Sequence, residues 1–332
     1  MKPHYLNLFL ISFFLYGSIS FAQQDVHLAL YKYHSHIFNP AVFGSEEGTF
    51  LSTSYRSQWT GIKDAPRIQA ISLGFPSGEK RAGYGLLVTN DQTFIEQQTR
   101  FFANYSYRLP LNEGNLYLGV SAGGNNFSVN FNALDNLEAI GDSQFQNFSR
   151  FNPNVGLGVY LQKERFFLSL SIPQLLSTKR FKEGQGIATS ARDRPHFYAI
   201  TGVDIPINDD WSWVSSGLFR YVSDAPLSAV VNTGASYRKL EMTVGYQINA
   251  GITGTFMIRE MQNSGFALGY SYQVPTVGQL QTLTGGNHEI LLRIRLAKTK
   301  TPQELIEEEA EDETLIGTKN RERKNGIGKK RK

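Results

Sequence analysis

The side chains with the widest chemical repertoire in this chain are six histidines, at positions 4, 27, 34, 36, 196 and 288. His34-Ser35-His36 is the one close pair, and on a strand it would set two imidazoles on the same face. Two imidazoles are half of a tetrahedral zinc site. No carboxylate or third histidine stands close by in the sequence, so no metal site is expected. His196 or His288 could serve a serine hydrolase with an Asp or Asn partner, but the chain carries no nucleophile elbow. Asp91 and Asp209-Asp210 read as turn residues rather than acid–base pairs. Gly123-Gly124 and Gly285-Gly286 read as loops rather than phosphate cradles, and no nucleotide motif occurs. The absence of cysteine excludes disulfides, thiolate catalysis and thiolate metal sites. No catalytic residue and no cofactor are expected.

Charge is the second source of chemistry. Arg56, Arg67, Arg100, Arg108, Glu241, Glu289, Arg293 and Arg295 fall on or near the polar side of segments whose hydropathy alternates. One reading is a network of paired charges that stiffens an interior. The other is a lining that touches a plug, a polypeptide or a solute. The first is expected for most of these residues.

The elements that would position them are strands. From about Gly48 to Leu296 the dominant period is two. In the last such segment Ile290, Leu292, Ile294 and Leu296 share one face, with Glu289, Arg293 and Arg295 opposite. Leu240, Met242, Val244, Tyr246 and Ile248 oppose Glu241, Thr243, Gly245 and Gln247. Phe101, Ala103, Tyr105, Tyr107 and Leu109 oppose Arg100, Asn104, Ser106 and Arg108. About fourteen strands are expected, many near the roughly 9–11 residues that cross a bilayer at a tilt. Their starts are expected near Gly48, Arg67, Ala82, Gln97, Leu116, Asn152, Arg165, Pro195, Trp211, Leu227, Leu240, Gly251, Gly265 and Asn287.

The connections give an independent check. Pro76–Arg81, Asn112–Asn115, Lys163-Glu164, Pro206–Asp210, Arg238-Lys239 and Glu260–Ser264 follow even-numbered strands and are short. The long links, Ser128–Phe151, Pro173–Arg194 and Val274–Gly286, all follow odd-numbered ones. That is the parity of an outer-membrane barrel with short turns on one side. Aromatics make up 13% of the chain, with 23 Phe, 16 Tyr and 31 Gly, which suits strands, interfacial rings and tight turns. The mean hydropathy of -0.29 excludes a helical membrane bundle but not a barrel, in which only alternate residues meet lipid. A soluble β-sandwich would also alternate, but with a polar face richer in Lys, Glu and Thr.

Met1 to Ala22 reads as a secretory signal: Lys2 ahead of an apolar stretch from Leu6 to Ile19, then Ser20-Phe21-Ala22, with cleavage before Gln23. An uncleaved anchor is the alternative. Gln23 to Glu47 is polar and irregular, and is expected inside the lumen as a plug or at its periplasmic mouth. The barrel itself is expected over residues 48–297. Residues 298–332 shift to an acidic block, Glu307-Glu308-Glu309-Ala310-Glu311-Asp312-Glu313, and a basic end, Lys329-Lys330-Arg331-Lys332. Such blocks stay solvated, as a periplasmic tail. Both mature termini are expected in the periplasm.

These motifs resemble the PorP/SprF family of type IX secretion system membrane proteins. The resemblance begins at Phe38-Asn39-Pro40-Ala41 with Gly44. It is strongest in Tyr55-Arg56-Ser57-Gln58-Trp59-Thr60-Gly61 and Ala65-Pro66. It continues through Gly83-Tyr84-Gly85, Tyr105-Ser106-Tyr107, Phe151-Asn152-Pro153-Asn154 and Gly269-Tyr270 to Asn287-His288-Glu289-Ile290, from about Val26 to Leu296. Arg293-Ile294-Arg295-Leu296 departs from the expected aromatic-ended closing strand, and a charged tail follows it. The resemblance implies a non-enzymatic outer-membrane barrel that exports or retains type IX cargo. Its implied partners are the C-terminal region of a secreted adhesin, or periplasmic, peptidoglycan-associated secretion components, besides membrane lipid. It implies partner-binding or structural roles for Asn39, Pro40, Gly44, Tyr55, Arg56, Gln58, Trp59, Gly61 and Pro66. A porin or small-solute transporter is the main alternative, and a barrel hydrolase a more distant one.

Overall fold

The computed structural model describes residues 28–77, 81–131, 147–179, 192–259, 265–276 and 283–298. The expected signal peptide, its cleavage before Gln23 and the charged tail beyond Lys298 lie outside the described residues.

The strands are β1 (Gly48–Ser57), β2 (Arg67–Ser77), β3 (Ala82–Thr93), β4 (Glu96–Leu111), β5 (Gly114–Val129), β6 (Phe148–Gln162), β7 (Phe166–Ile172), β8 (Thr178–Lys179), β9 (Arg192–Asp193), β10 (His196–Pro206), β11 (Trp211–Val222), β12 (Ser228–Tyr237), β13 (Leu240–Gln247), β14 (Gly251–Ile258), β15 (Phe266–Pro275) and β16 (Asn287–Lys298). β8 and β9 form a separate two-stranded ribbon. The other strands pair antiparallel with their neighbours in chain order, and β16 returns to β1 to close a barrel of 14 strands. Closure gives each of the 14 strands a neighbour on both sides over at least part of its length, which is what a strand-built object needs in lipid. Because the strand number is even, β1 enters and β16 leaves at the same end. The turns there are short, such as Asn112-Glu113 between β4 and β5. Among the described residues no helix is long and apolar enough to cross a membrane.

Alternation places the side chains. Along β1, Phe50, Ser52, Ser54 and Arg56 turn inward and are buried, while Tyr55 is exposed. Ile252, Met242, Val244, Tyr246 and Leu157 are exposed on the outer wall, where lipid would meet them. Register is therefore strict: a slip of one residue would carry Arg56 into lipid.

Several expectations need correction. Arg67 is exposed, because Ile68 and Ala70 take the inward positions of β2. Asp91 lies within β3, opposite Gln98 of β4, not in a turn. Gly123-Gly124 lies within β5, not in a loop. There the glycines make room: a Cβ on Gly124 would fall 2.3 Å from the Phe151 ring of β6. β6 starts at Phe148 rather than near Asn152, since β5 and β6 continue together past the expected link. The inner wall is also less polar than alternation suggested. Ile68, Ala70, Leu87, Phe102, Tyr198, Ile200, Leu218 and Val230 are buried inside it.

Residues 28–47 cover that apolar patch. They enter the lumen as an irregular segment with two short 3-10 turns, Ser35–Ile37 and Pro40–Gly44. The Asn39 side chain caps the second by accepting from Ala41 N–H (2.8 Å), and Pro40 at its first position has no N–H to lose. Leu28, Tyr31, Ile37, Phe38 and Phe43 pack on the wall as one cluster. Each fully buried aromatic of this kind contributes about 1.5–3 kcal/mol.

The wall approaches this plug at glycines. A Cβ on Gly119 would fall 2.1 Å from Ala41 N, and one on Gly158 would fall 1.8 Å from Asn39 Oδ1. Only a residue without a side chain lets the plug come this close to the wall. Gly158→Val is therefore expected to displace the Asn39 turn and destabilise the protein by about 1–3 kcal/mol. Gly254→Val is expected to be neutral, because nothing lies within 4 Å of its Cβ position. Urea unfolding of the detergent-solubilised protein checks both.

Candidate functional site: the plug and its anchors

The seam between the first and last strands carries the most buried charge. Arg56 and Glu289 are register partners across β1 and β16. Arg56 Nη1 donates to Glu289 Oε2 at 3.1 Å, and its Nη2 donates to Gln273 Oε1 at 2.6 Å. The Glu289 carboxylate also accepts from the plug, from Ala29 N–H (2.7 Å) and Leu30 N–H (3.1 Å). Both side chains are almost wholly buried. Leaving either alone would strand a charge, and breaking such a pair costs about 3–5 kcal/mol.

Two further clusters hold the plug near the short-turn end. Arg293 pairs with Glu46, and Arg295 Nη1 lies 3.4 Å from Glu47 Oε2. The Arg293 guanidinium also sits 4.7 Å from the centre of the Phe50 ring. Glu241 pairs with Arg259, which also reaches Asp204 at 3.1 Å. Lys32 of the plug enters the same group, 2.9 Å from Asp204 and 3.5 Å from Glu241.

His34 and His36 lie in the irregular segment, not on a strand. His34 precedes the first 3-10 turn and His36 lies within it, with ring centroids 6.4 Å apart. His34 Nδ1 and Nε2 meet the hydroxyls of Ser54 (3.0 Å) and Ser72 (3.2 Å). His36 lies 3.0 Å from Glu46 and packs between the rings of Phe43 and Phe50. Burial, with His36 and Arg293 adding to it, holds His34 well below the usual imidazole range. Burial alone would raise Glu46, but Arg293 and His36 outweigh it and hold this carboxyl well below the usual range.

The remaining predicted residues serve the plug or the rim. Asn39 Nδ2 donates to Val159 O (2.9 Å) and Ser169 Oγ (2.7 Å), tying the plug to β6 and β7. Gly44 abuts Ser106, whose hydroxyl donates to Ala41 O at 2.7 Å. Arg100 is buried and donates to Gln98 Oε1 at 2.8 Å. Arg108 is half-buried on the inner face of β4. Tyr55 points outward. Gln58 N–H donates to Pro66 O (2.9 Å), closing the loop between β1 and β2. Trp59 N–H donates to Asn287 Oδ1 (2.9 Å), and Thr60 exchanges main-chain bonds with Gly285 and Gly286. Trp59 and Gly61 both take positive φ there, 49° and 98°. The motif from Tyr55 to Pro66 thus stitches the first loop to the last strand above the Arg56–Glu289 pair.

Sequence reasoning did not single out Lys32, Glu46, Glu47, Asp204, Arg259 and Gln273. A signal existed for two of them. Glu46-Glu47 immediately precede the first strand, Arg293 and Arg295 lie late in the last, and barrel closure makes those strands neighbours. Above the plug, Ile37, Phe38, Pro40, Thr89, Arg100, Phe102 and Tyr198 line part of a small cavity.

Fold and site together define a plugged outer-membrane β-barrel. The sequence profile described as "Type IX secretion system membrane protein PorP/SprF" matches residues 20–294, and the chain belongs to that family. No curated protein matches it. Among solved structures, the Ralstonia pickettii toluene transporter TbuX is similar with a TM-score of 0.50 at 11% identity, over 79% of this chain and 93% of that one. The Acinetobacter baumannii outer membrane protein Omp33 gives 0.42 at 8%, over 76% and 100%. TbuX shares the fold.

Glu289→Gln is expected to cost about 3–5 kcal/mol, while the double variant Arg56→Met/Glu289→Gln, which removes both charges and keeps an acceptor for the Ala29 and Leu30 N–H groups, recovers part of that loss. Urea titration of both variants measures the difference. Acidification should loosen the plug. The released segment takes up a proton on His34 below about 6.5, whereas the docked one does not. The Glu46 ion pairs likewise stabilise docking above about 4.5 and lose that effect as the pH falls further. Both titrations act in one direction. Proteolysis of the plug should therefore speed up from pH 7 to pH 5, with a shallower dependence in His34→Gln; an equally steep profile there would remove His34 from the account.

Proposed function

We propose that this barrel serves type IX secretion as a binding element, holding a secreted polypeptide or a translocation component at the outer membrane, and that it carries out no reaction. The plug is the observation that carries this reading. A lumen held shut by a polar seam, two ionic clusters and a buried apolar face suits a partner-binding wall better than a free solute path. His196 and His288, the candidates for hydrolysis, pack against tyrosines: His288 Nδ1 is 2.8 Å from Tyr270 Oη, and the rings of His196 and Tyr198 are 6.3 Å apart. The even strand number puts the start of β1 and the end of β16 on the short-turn side, which we take as the periplasmic side. Contacts with peptidoglycan-associated components would form there, and contacts with a surface-held adhesin at the long-loop end.

Passage of a small solute is the second reading, and the cavity above the plug favours it. Two measurements separate them. Deleting the protein should leave type IX cargo unsecreted or shed into the medium, and unchanged cargo location would overturn the binding reading. Reconstituted in planar bilayers, the intact protein should conduct poorly, and Glu46→Lys/Glu47→Lys should raise conductance by weakening the plug's clasp. Steady, large pores in the intact protein would favour the solute reading.

A further inference from the structure

The barrel wall is not equally tall. β4 and β5 have 16 residues each and β6 has 15, well beyond the roughly 9–11 that cross a bilayer. They rise together at the long-loop end, where Glu96 pairs with Val129 and Val129 with Phe148. Their next neighbour does not follow. β7 has only 7 residues and pairs with β6 from Leu157 to Gln162. The upper part of β6, Phe148 to Gly156, has β5 on one side and, among the described residues, no strand on the other.

The chain leaving β7 covers the lowest part of this edge. Leu175 N–H donates to Val155 O at 2.8 Å, and the Asn154 side chain exchanges two bonds of 2.9 Å with Leu176. The Val155 bond fixes the direction of the rest. In an unbroken ladder every second residue presents its main chain to the same side, so Pro153, Phe151 and Ser149 face away from β5. Proline has no N–H. The N–H and C=O of Ser149 and Phe151 and the C=O of Pro153 have no hydrogen-bond partner among the described residues. The exposed Phe151 ring lies over Gly124 of β5, on the side away from this edge.

A second observation lies on the inner face. Asn152 is buried at 4% exposure, and its Nδ2 has no partner. Its register partner Asn125 is buried at 1%, and neither of its amide atoms is bonded. Buried amides left unmatched cost about 1–3 kcal/mol each, and they are rare enough to need an explanation.

We propose that the upper edge of β6 takes up one extended polypeptide strand from a partner protein. The incoming main chain pairs with Ser149 and Phe151, and a side-chain or main-chain oxygen of that strand accepts from Asn152 Nδ2. Alternating N–H and C=O groups at strand spacing are matched along their length only by another extended main chain. Proteins normally shield such edges. Here Pro153 and the Leu175–Leu176 segment shield the lower part and, among the described residues, leave a window a few residues long. This proposal rests on the reading of the barrel as a polypeptide-binding element.

The test uses the full-length protein in detergent and, as probe, a purified C-terminal domain of a type IX substrate from the same cell. Ser149→Pro and Phe151→Pro each remove one edge N–H and leave the β5 ladder, which uses the even-numbered residues. Each should weaken probe binding roughly ten-fold, with barrel folding checked by heat-dependent gel mobility. Because the chain has no cysteine, Ser149→Cys gives a folding-tolerant second measurement. Disulfide crosslinking to probe cysteines moved one position at a time should peak at every second residue. Folded proline variants that bind like the parent, or crosslinks without that period, overturn the edge proposal alone. Failure of the unaltered protein to bind any such domain overturns the function it rests on.

Discussion

The carboxylate of Glu289 is the point on which the structure turns. It meets three things that must agree: the guanidinium of Arg56 on the first strand, the last strand that carries it, and the main-chain N–H groups of Ala29 and Leu30 in the plug. Barrel closure and plug docking therefore share one buried charge pair. Neither is favourable without the other, because an unmatched carboxylate or guanidinium in that place is far costlier than the pair. A chain with β1 and β16 misaligned by one residue would carry one of the two charges to the lipid side and leave the other buried alone. Few alternative registers can compete.

Around that point the plug and the wall are complementary in a way that explains otherwise odd residues. Gly119 and Gly158 are poor strand formers, yet each sits where the plug presses on the wall. Asn39 answers the same place with hydrogen bonds to both β6 and β7. The apolar inner residues of β2, β3, β4, β10 and β11 would be misplaced in an open aqueous pore. Against Tyr31, Phe38 and Phe43 they form a core. The interior thus resembles a small globular protein whose outer shell happens to be a barrel.

This explains what could be read from the sequence and what could not. Strand existence and connection parity were legible, because lipid imposes a strict period of two on the outer wall. β1, β2, β3, β11, β13, β14 and β16 begin at the expected residues. The inward set in β1, β4, β13 and β16 also followed from alternation. Arg67 was misjudged because a residue at a strand's end can sit on either face, and Ile68, an apolar residue, is the one that turns inward. Gly123-Gly124 resembled a loop because glycine pairs usually are; the Phe151 ring that needs the space lies in the next strand. His34-Ser35-His36 has no periodicity to judge, and its partners Ser54 and Ser72 come from two strands. Contacts between an irregular segment and a wall leave no local pattern, so the plug's anchors could be read only in pairs, as with Glu46-Glu47 against Arg293 and Arg295.

The family motif around Arg56 and Trp59 invites a reading as a partner-binding surface, but its geometry argues first for closure. Arg56 is buried, Gln58 closes its own loop, and Trp59 and Thr60 bind the last loop from above. A partner touching this rim would meet main chain already committed to the barrel. The tall side of the barrel differs. There, among the described residues, β6 has unspent main-chain groups and β5 and β6 carry buried amides without partners, far around the wall from the β1–β16 seam. A barrel that must stay closed while engaging a polypeptide gains from this separation, since the wall can take up a strand without loosening the pair that holds plug and barrel together.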